Sequence, residues 1–195
     1  EVHRRLLENM DLAQARRMVA EGADIIDIGC TPGLAFPALA DVVGELVGAG
    51  MRVSIDSLDP TEIRTAVAAG VELVLSINGS NIDVVRSLVG TGARVVAIPD
   101  QGAGLDSLVA TIAALERAGV PYLIDPILEP IGLGFTASLE RYASARRTWP
   151  NAEMLMGIGN LTELTAADTT GVNAVLIAVC QELGIRTVLT TEVIP

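Results

Sequence analysis

The chain has 195 residues, of which 50% are hydrophobic and only 3% aromatic, and its formal net charge is −11. This charge argues against nucleic acid and anionic membranes as partners, because both are bound through basic patches. No stretch reaches the roughly 18 uninterrupted apolar residues that a membrane span needs, and no signal peptide opens the chain. The length predicts one domain over residues 1–195, large enough to bury a sizeable core.

The residue types that are scarce narrow the chemistry further. The two cysteines, Cys30 and Cys180, give no disulfide framework and no metal spacing, which favours a reducing cytoplasm. His3 is the single histidine, so zinc sites built on histidine and nucleophiles activated by histidine are not expected. Every cation is an arginine; the absence of lysine removes Schiff-base chemistry and the P-loop.

One pattern recurs along the chain: a glycine, a short aliphatic strand, a polar residue and a helical segment. It begins in EGADIIDIGC and continues through GAGMRVSIDS, AAGVELVLSIN, GTGARVVAIPD, RAGVPYLIDPI, NAEMLMGIGN and LGIRTVLTTEV. Strands that alternate with helices predict a parallel sheet. Polar residues close the successive strands at Asp27, Asp56, Asn78, Asp100, Asp125 and Asn160.

The boundaries of the predicted helices carry their own signals. In DSLDPTEIRTAVAAG, Asp59 is placed to cap a helix, Pro60 to take its first position and Glu62 to complete a capping box. Several glycines stand where helix ends favour a left-handed residue: Gly22, Gly50, Gly70, Gly92, Gly119 and Gly184. In the later helix, ERYASARR is interpreted as a charged, solvated face with a possible partner contact.

Seven such repeats predict an α/β fold of the (β/α)8 TIM barrel type, incomplete in this chain. Strands two to eight are present, EVH at the start is interpreted as the tail of strand one, and no helix is expected after the last strand. An open doubly wound sheet is the alternative, but no G-x-G-x-x-G follows any strand.

In such barrels the active site lies at the carboxyl ends of the strands, where these polar residues are expected. Pro126 holds Asp125 in an extended conformation. The competing interpretation is that each polar residue only caps a helix or binds loop amides, which is about as plausible for Asp27 and Asp100 as a binding role. Cys30 is interpreted as a bystander thiol near the same ends.

The motifs GADIIDIG, VSIDS, LSIN, LIDPIL and GIGN resemble the successive strands of the pterin-binding superfamily. This superfamily contains the dihydropteroate synthases and the methyltetrahydrofolate:corrinoid methyltransferases. More narrowly, CTPG, DPILEPIGLGF and MGIGNLTELT resemble the dihydropteroate synthase-related proteins found with tetrahydromethanopterin genes.

The resemblance implies that Asp56, Asn78 and Asp125 bind the pterin ring. A pterin has adjacent N–H donors at its 2-amino and N3 positions, which one carboxylate can accept in bidentate fashion. Asn160, in GIGN, is similar to the asparagine that serves the pterin N5 in the methyltransferases. The predicted catalytic residues are therefore Asn160 and Asp125.

The sequence also departs from the synthase pattern. The synthases bind diphosphate through a lysine on strand seven and an arginine on strand eight, and neither is present here. Arg52, Arg94 and Arg186 precede their strands, whereas Arg64 and Arg141 stand near helix starts.

The sequence therefore predicts a dihydropteroate synthase-like transferase, associated with tetrahydromethanopterin, that uses a reduced pterin and no protein-bound metal apart from a possible Mg²⁺. The alternatives are a methyltransferase that passes a one-carbon group from the pterin to a corrinoid, carried on a partner protein, or to another acceptor, and a pterin-binding domain without catalysis. A homodimer is a further expectation.

Overall fold

Strands and helices alternate along the chain, as the sequence predicts. The structure, a computed structural model, describes residues 12–162 and 169–190. These divide into two compact units: the described residues up to Val96 with Ala110–Pro121, and Ala97–Val109 with the described residues from Tyr122 onward. The predicted remnant of strand one at residues 1–3, and the end of the chain at 191–195, lie outside the described residues. That residues 1–195 form a single domain stays a prediction.

The described part of the chain has the following helices and strands. In chain order they are α1 (Leu12–Ala20), β1 (Ile26–Gly29), α2 (Leu39–Gly48), β2 (Val53–Asp56), α3 (Pro60–Ala69), β3 (Leu73–Ile77), a 3₁₀ turn (Ile82–Val84), α4 (Val85–Leu88), β4 (Arg94–Ala97), α5 (Asp106–Ala118), β5 (Tyr122–Ile124), α6 (Phe135–Thr148), β6 (Leu155–Gly157), α7 (Gly159–Thr162), α8 (Thr169–Glu182) and β7 (Thr187–Leu189).

The strands of the first unit lie in the order β1-β2-β3-β4. In the first unit β1, β2 and β3 run parallel, with Gly29 paired to Asp56 and Asp56 to Leu75. The aliphatic side chains of these strands are buried, as expected for parallel strands. Asp56 is the last residue of β2 and Asn78 is the first residue after β3, so both stand at carboxyl ends.

The start of α3 follows the predicted pattern with one difference. The Asp59 carboxylate accepts hydrogen bonds from the backbone N–H groups of Thr61 (2.6 Å) and Glu62 (3.3 Å), and Pro60 is the first helical residue. The capping box is wrong in detail, because the Glu62 carboxylate accepts from the Ser57 hydroxyl instead of from the Asp59 backbone. The Asp59 N–H donates to that same hydroxyl, so Ser57 stands between the two groups.

The predicted left-handed glycines are confirmed. All six have a positive φ, between 65° and 114°. Gly70 is the C-cap of α3, and Gly50 directly follows Ala49, the C-cap of α2. Gly92 instead lies in the turn beyond α4, whose C-cap is Val89.

The second unit carries the later strands. β6 and β7 are parallel, with Leu155 paired to Thr187, and Ile124 makes an isolated parallel bridge to Met154. Asp125 directly follows β5, whereas Asn160 lies in the first turn of the short helix α7 after β6. The unit therefore also places polar residues at or just beyond strand ends.

Candidate functional site

Two carboxylates of the first unit are held by serine hydroxyls from the neighbouring strands. The Ser54 hydroxyl donates to Asp27 Oδ1 at 2.6 Å, and the Ser76 hydroxyl donates to Asp56 Oδ1 at 2.6 Å. Asp56 is at the end of its strand as predicted, but Asp27 is the second residue of β1. Its prediction as a strand-end residue is therefore wrong. Sequence reasoning also missed both serines.

Burial changes the acid–base properties of this group. It raises the pKa of Asp27 from 3.8 to about 7, with a further contribution from the Asp56 carboxylate, while the Ser54 hydroxyl opposes the shift. Burial likewise raises the pKa of Asp56, against the hydrogen bond from Ser76. Such shifts are more frequent at functional sites than elsewhere.

Cys30 lies beside the same carboxylates. Burial and the Glu62 carboxylate, followed by Asp56 and Asp27, raise the pKa of its thiol to about 12. Because the thiolate is the reactive form of cysteine, the raised pKa disfavours reaction of this thiol at neutral pH. The interpretation of Cys30 as a bystander agrees with this result.

The raised pKa of Asp27 predicts a pH-dependent cost to folding. The folded state binds the proton more tightly than the unfolded state, so the cost is absent below about pH 4 and complete above about pH 7. Asp27→Asn should raise the free energy of unfolding by about 2 kcal/mol at pH 8, after allowance for partial solvent screening, and by almost nothing at pH 4. Urea unfolding at the two pH values measures this. Asp24→Asn, an exposed change of the same kind, is the control, and an equal effect of both variants would contradict the prediction.

Asn78, the residue directly after β3, is buried and forms hydrogen bonds with Ser80 and Asn81. Its Oδ1 accepts from the Ser80 backbone N–H (2.9 Å) and from the Ser80 hydroxyl (2.7 Å), and its own backbone N–H donates to Asn81 Oδ1 (2.9 Å). The amide oxygen of Asn78 is thereby engaged. Within residues 12–162 and 169–190 its NH₂ group makes no hydrogen bond, so it can serve an acceptor on a ligand.

The backbone that leads to Asn78 is unusual. Ser76 has a φ of 68° inside β3, a conformation that costs about 1–3 kcal/mol for a residue other than glycine. Asn81, which is buried, compensates by donating from its Nδ2 to the Ser76 carbonyl at 3.0 Å. Strain that is held in this way is typical of functional sites. Asn81 was not among the predicted site residues, so its role here was missed.

In the second unit Asp125 is buried and bound from two directions. Its Oδ1 accepts hydrogen bonds from the Tyr142 hydroxyl and from the Ile127 backbone N–H, the latter at 2.8 Å. Tyr142 is fully buried in α6. Asp125 is therefore more than a helix cap, because a tyrosine from a distant part of the chain holds its carboxylate.

Asn160 stands on the same side of this unit as the second oxygen of Asp125. A Cβ atom built on Gly157 would lie 3.6 Å from both Asp125 Oδ2 and Asn160 Nδ2. Asn160 Nδ2 also donates to the Leu128 carbonyl at 3.2 Å, and the residue is exposed. A carboxylate oxygen and an amide nitrogen thus border the space that a side chain at position 157 would fill.

Asp100 differs from the other predicted residues. It lies three residues after the end of β4, is half-buried, and its backbone N–H donates to the Ser107 hydroxyl at 3.0 Å. Its carbonyl accepts from the Ala103 N–H at 2.9 Å. These bonds belong to the loop that leads into α5, so its binding role stays a prediction.

The two arginines that stand near helix starts, Arg64 and Arg141, have partners within their own surroundings. Arg141 donates to the carbonyls of Pro126 (3.2 Å) and Ile127 (2.9 Å) and forms an ion pair with Glu129 (3.3 Å). Arg64 is exposed and donates to Thr61. The interpretation of ERYASARR as a solvated face holds for Glu140 and Arg147, which are exposed. It does not hold for Arg141 and Arg146, which are half-buried and donate to backbone carbonyls.

Neither a metal cluster nor a membrane span is found in the described parts of the chain. Residues 12–162 and 169–190 contain no group of three or more His, Cys, Asp or Glu side chains that could hold a metal ion. No helix of the same ranges is long and apolar enough to cross a membrane.

The first half of the chain matches a known protein family. The family model described as pterin binding enzyme matches residues 8–107, just over half of the chain. The chain belongs to the pterin-binding enzyme family. The resemblance inferred from the strand motifs is thus confirmed.

Solved structures of the pterin-binding family have the same fold. A dihydropteroate synthase from Thermus thermophilus, in complex with 4-aminobenzoate, superposes with a TM-score of 0.73 at 22% identity and covers 94% of this chain and 83% of its own. The enzyme from Burkholderia cenocepacia gives a TM-score of 0.69 at 25% identity, over 93% of this chain and 81% of its own. The predicted fold class, α/β with an incomplete TIM barrel, is confirmed.

Two curated relatives of this pterin-binding protein are longer than the chain. The uncharacterised protein MJ0107 of Methanocaldococcus jannaschii is 29% identical over 190 residues, which span 88% of this chain and 36% of that protein. Dihydropteroate synthase type-2 of Escherichia coli is 35% identical over 86 residues, or 39% of this chain and 32% of that enzyme. The chain therefore spans about a third of the length of these relatives.

Proposed function

We propose that this chain is the pterin-binding part of a dihydropteroate synthase-like transferase in the biosynthesis of tetrahydromethanopterin or a related folate-type one-carbon cofactor. Membership of the pterin-binding family supports the ligand class. The narrower assignment rests on the resemblance of CTPG, DPILEPIGLGF and MGIGNLTELT to the dihydropteroate synthase-related proteins found with tetrahydromethanopterin genes. The ligand is a reduced pterin and the proposed location is the cytoplasm.

The observation that carries the proposal is the pair of polar atoms beside Gly157. Asp125 Oδ2 is an acceptor and Asn160 Nδ2 is a donor, and both lie 3.6 Å from the position that a Cβ at Gly157 would take. A pterin edge presents N–H donors next to ring acceptors, which is the complementary pattern. A neutral heterocycle is bound through such complementarity, so the net charge of −11 is no obstacle.

In the first unit we assign pterin contacts to Asp56 and Asn78. Asp56 accepts a hydrogen bond from Ser76 at Oδ1, and Asn78 has its amide oxygen bound to Ser80, which orients its NH₂ group. Fixed orientation of both groups lowers the cost of binding. Asp27 and Asp100 are secondary candidates, Asp27 because it shares an electrostatic environment with Asp56.

The release of diphosphate needs a cation beside the negatively charged leaving group. Arg141 is bound to two carbonyls and to Glu129, so it does not supply that charge. We propose that Mg²⁺ carried in with the diphosphate supplies it. A homodimer is part of this proposal as an expectation only.

Asn160 supports a second candidate, a methyltransferase that transfers a methyl group from the pterin to a corrinoid on a partner protein. Its amide nitrogen is the group that this chemistry requires, since a donor to N5 assists the departure of the methyl group. A pterin-binding domain without catalysis is the third outcome that the experiments below distinguish.

A small change at Gly157 tests the ligand class. Gly157 has no positive φ, and an added methyl group makes only ordinary contacts at 3.6 Å, so Gly157→Ala should fold normally. The methyl group would occupy the space beside Asp125 and Asn160 and should weaken pterin binding about tenfold or more, about 1.4 kcal/mol. Calorimetry with a panel of oxidised, dihydro- and tetrahydropterins measures this.

The matched control is Gly44→Ala in α2, where an added Cβ meets nothing within 4 Å. This variant should bind pterin as the unchanged protein does. The proposal fails if no pterin of the panel binds the unchanged protein, or if Gly157→Ala binds as tightly as Gly44→Ala.

A further inference from the structure

Helix α6 braces the segment 125–129 that carries Asp125. Ser138, Tyr142 and Ala145 are buried on one face of α6, at the spacing of four and three residues that places side chains on the same side of a helix. The Ser138 hydroxyl accepts from the Glu129 N–H at 3.1 Å, and Tyr142 donates to Asp125. Both ends of the segment are thus bound to one helix.

The middle of the segment is held by Arg141 of the same helix. Its guanidinium donates to the carbonyls of Pro126 at 3.2 Å and of Ile127 at 2.9 Å. Ile127 has a φ of 68°, which is rare for a β-branched residue. Two sets of hydrogen bonds maintain this conformation. Arg141 donates to the carbonyls of Pro126 and Ile127, and the Ile127 N–H donates to Asp125 Oδ1.

Tyr142 is the largest fully buried side chain among the described residues. A buried phenol is costly unless its hydroxyl is hydrogen-bonded, and here Asp125 Oδ1 is the acceptor. Burial, followed by the charge and the hydrogen-bond acceptance of Asp125, raises the pKa of Tyr142 well above 10. Tyr142 therefore stays protonated and remains a donor over the range in which proteins function.

The two donors converge on a single oxygen. Tyr142 and the Ile127 N–H both bind Oδ1, so the carboxylate cannot rotate about its Cβ–Cγ bond without losing both hydrogen bonds. Oδ2 is then fixed on the side of Gly157, at 3.6 Å from the position of an added Cβ. A carboxylate that is already oriented loses less conformational freedom when it binds a ligand.

We propose that Tyr142 is a positioning residue, which locks the Asp125 carboxylate through Oδ1 so that Oδ2 faces the pterin donors. This inference rests on the proposed function, in which Asp125 binds the pterin. Tyr142 itself does not touch the ligand in this scheme. Helix α6 thereby sets the geometry of a residue that belongs to the end of β5.

Tyr142→Phe tests the inference, because it removes the hydroxyl and keeps the buried ring. We expect reduced-pterin affinity to fall about tenfold at pH 7.5. The acid limb of the curve of affinity against pH should also move to higher pH, since the anionic form of Asp125 loses a donor. Calorimetric titrations from pH 5 to 9 give both quantities.

The other titratable groups near Asp125 leave this readout clear. Cys180 faces it from α8, where burial and the Asp125 charge raise the pKa of the thiol above its ordinary 9.0. Arg141 and Glu129 form an ion pair with each other beside the segment, at 3.3 Å. The ionisation of the pterin itself is common to all variants.

Tyr122→Phe, the same deletion at the other tyrosine of the chain, is the matched control and should leave affinity and pH profile unchanged. In a double-mutant cycle with Asp125→Asn, Tyr142→Phe should cost less than it does alone, whereas a purely structural role would give additive losses. Thermal unfolding confirms that each variant is folded at the temperature of the titrations.

Equal affinity and an unshifted pH profile for Tyr142→Phe, or additive losses in the cycle, overturn the inference while the pterin site stands. Failure of the unchanged protein to bind any pterin overturns the proposed function and this inference together.

Discussion

Asp125→Asn should weaken the binding of a reduced pterin by about 3 kcal/mol, which is roughly a hundredfold. The reason lies in the two hydrogen bonds to Oδ1. Tyr142 and the Ile127 N–H both donate to that atom, so the amide of the variant keeps its oxygen there and places its NH₂ group where Oδ2 stood. An acceptor is thus replaced by a donor that faces the donors of the pterin.

The substitution should leave the fold intact, because the bonds of Oδ1 persist in the variant. Calorimetry with the pterin that the unchanged protein binds most tightly measures the loss. Asp83→Asn removes the same charge at an exposed position of the 3₁₀ turn and should have no effect. Unchanged affinity in a folded Asp125→Asn protein would remove Asp125 from the proposed site.

The fold follows from short-range patterns in the sequence. Aliphatic runs such as those of β2 and β3 predicted the strands. Glycines predicted the helix ends, as at Gly70, which has a φ of 110°. Each of these signals acts within a few residues, and the same signal recurs at every repeat. The error at Asp27 arose because β1 continues for two residues beyond it, to Gly29. Strand limits depend on pairing with β2, which no local pattern records.

The candidate site was predictable only in part. Residues at strand ends, such as Asp56 and Asp125, could be found because their position follows from the repeat. The groups that hold them could not, since Ser76 is 20 positions from Asp56 in the sequence and Tyr142 is 17 from Asp125. One available signal was a hydroxyl within an aliphatic strand, as in VSID and LSIN.

Arg141 shows why a high fraction of charged residues does not by itself predict that a segment is exposed to solvent. Arg141 lies in a segment that looks solvated, since ERYASARR contains four charged residues in eight. Its partners are the carbonyls of Pro126 and Ile127, and the second of these belongs to a residue with a positive φ. Backbone carbonyls have no signature in the side-chain sequence, so a cation that binds them resembles an exposed one.

Asn160→Ala distinguishes the two enzymatic candidates. In the methyltransferase the methyl group leaves N5, and a hydrogen bond from Asn160 strengthens as the bond breaks, so the residue acts on the transition state. Loss of one such donor should lower kcat on the order of 10²-fold or more. In the synthase the reacting carbon lies outside the ring, and Asn160 mainly orients the pterin, so the substitution should raise KM more than it lowers kcat.

The assays use the full-length protein with methyl-pterin plus a corrinoid protein, and separately with pterin diphosphate, Mg²⁺ and an arylamine. Asn151→Ala, an exposed asparagine in the turn before β6, is the matched control and should leave both activities unchanged. The Asn160→Ala variant also loses the bond to the Leu128 carbonyl, so the rates are compared well below its unfolding temperature. Turnover of the diphosphate substrate with kcat unaffected by Asn160→Ala excludes the methyltransferase role for this residue. Pterin binding without turnover in either assay favours the domain that binds without catalysis, because Asp125 and Asn160 would then serve recognition alone.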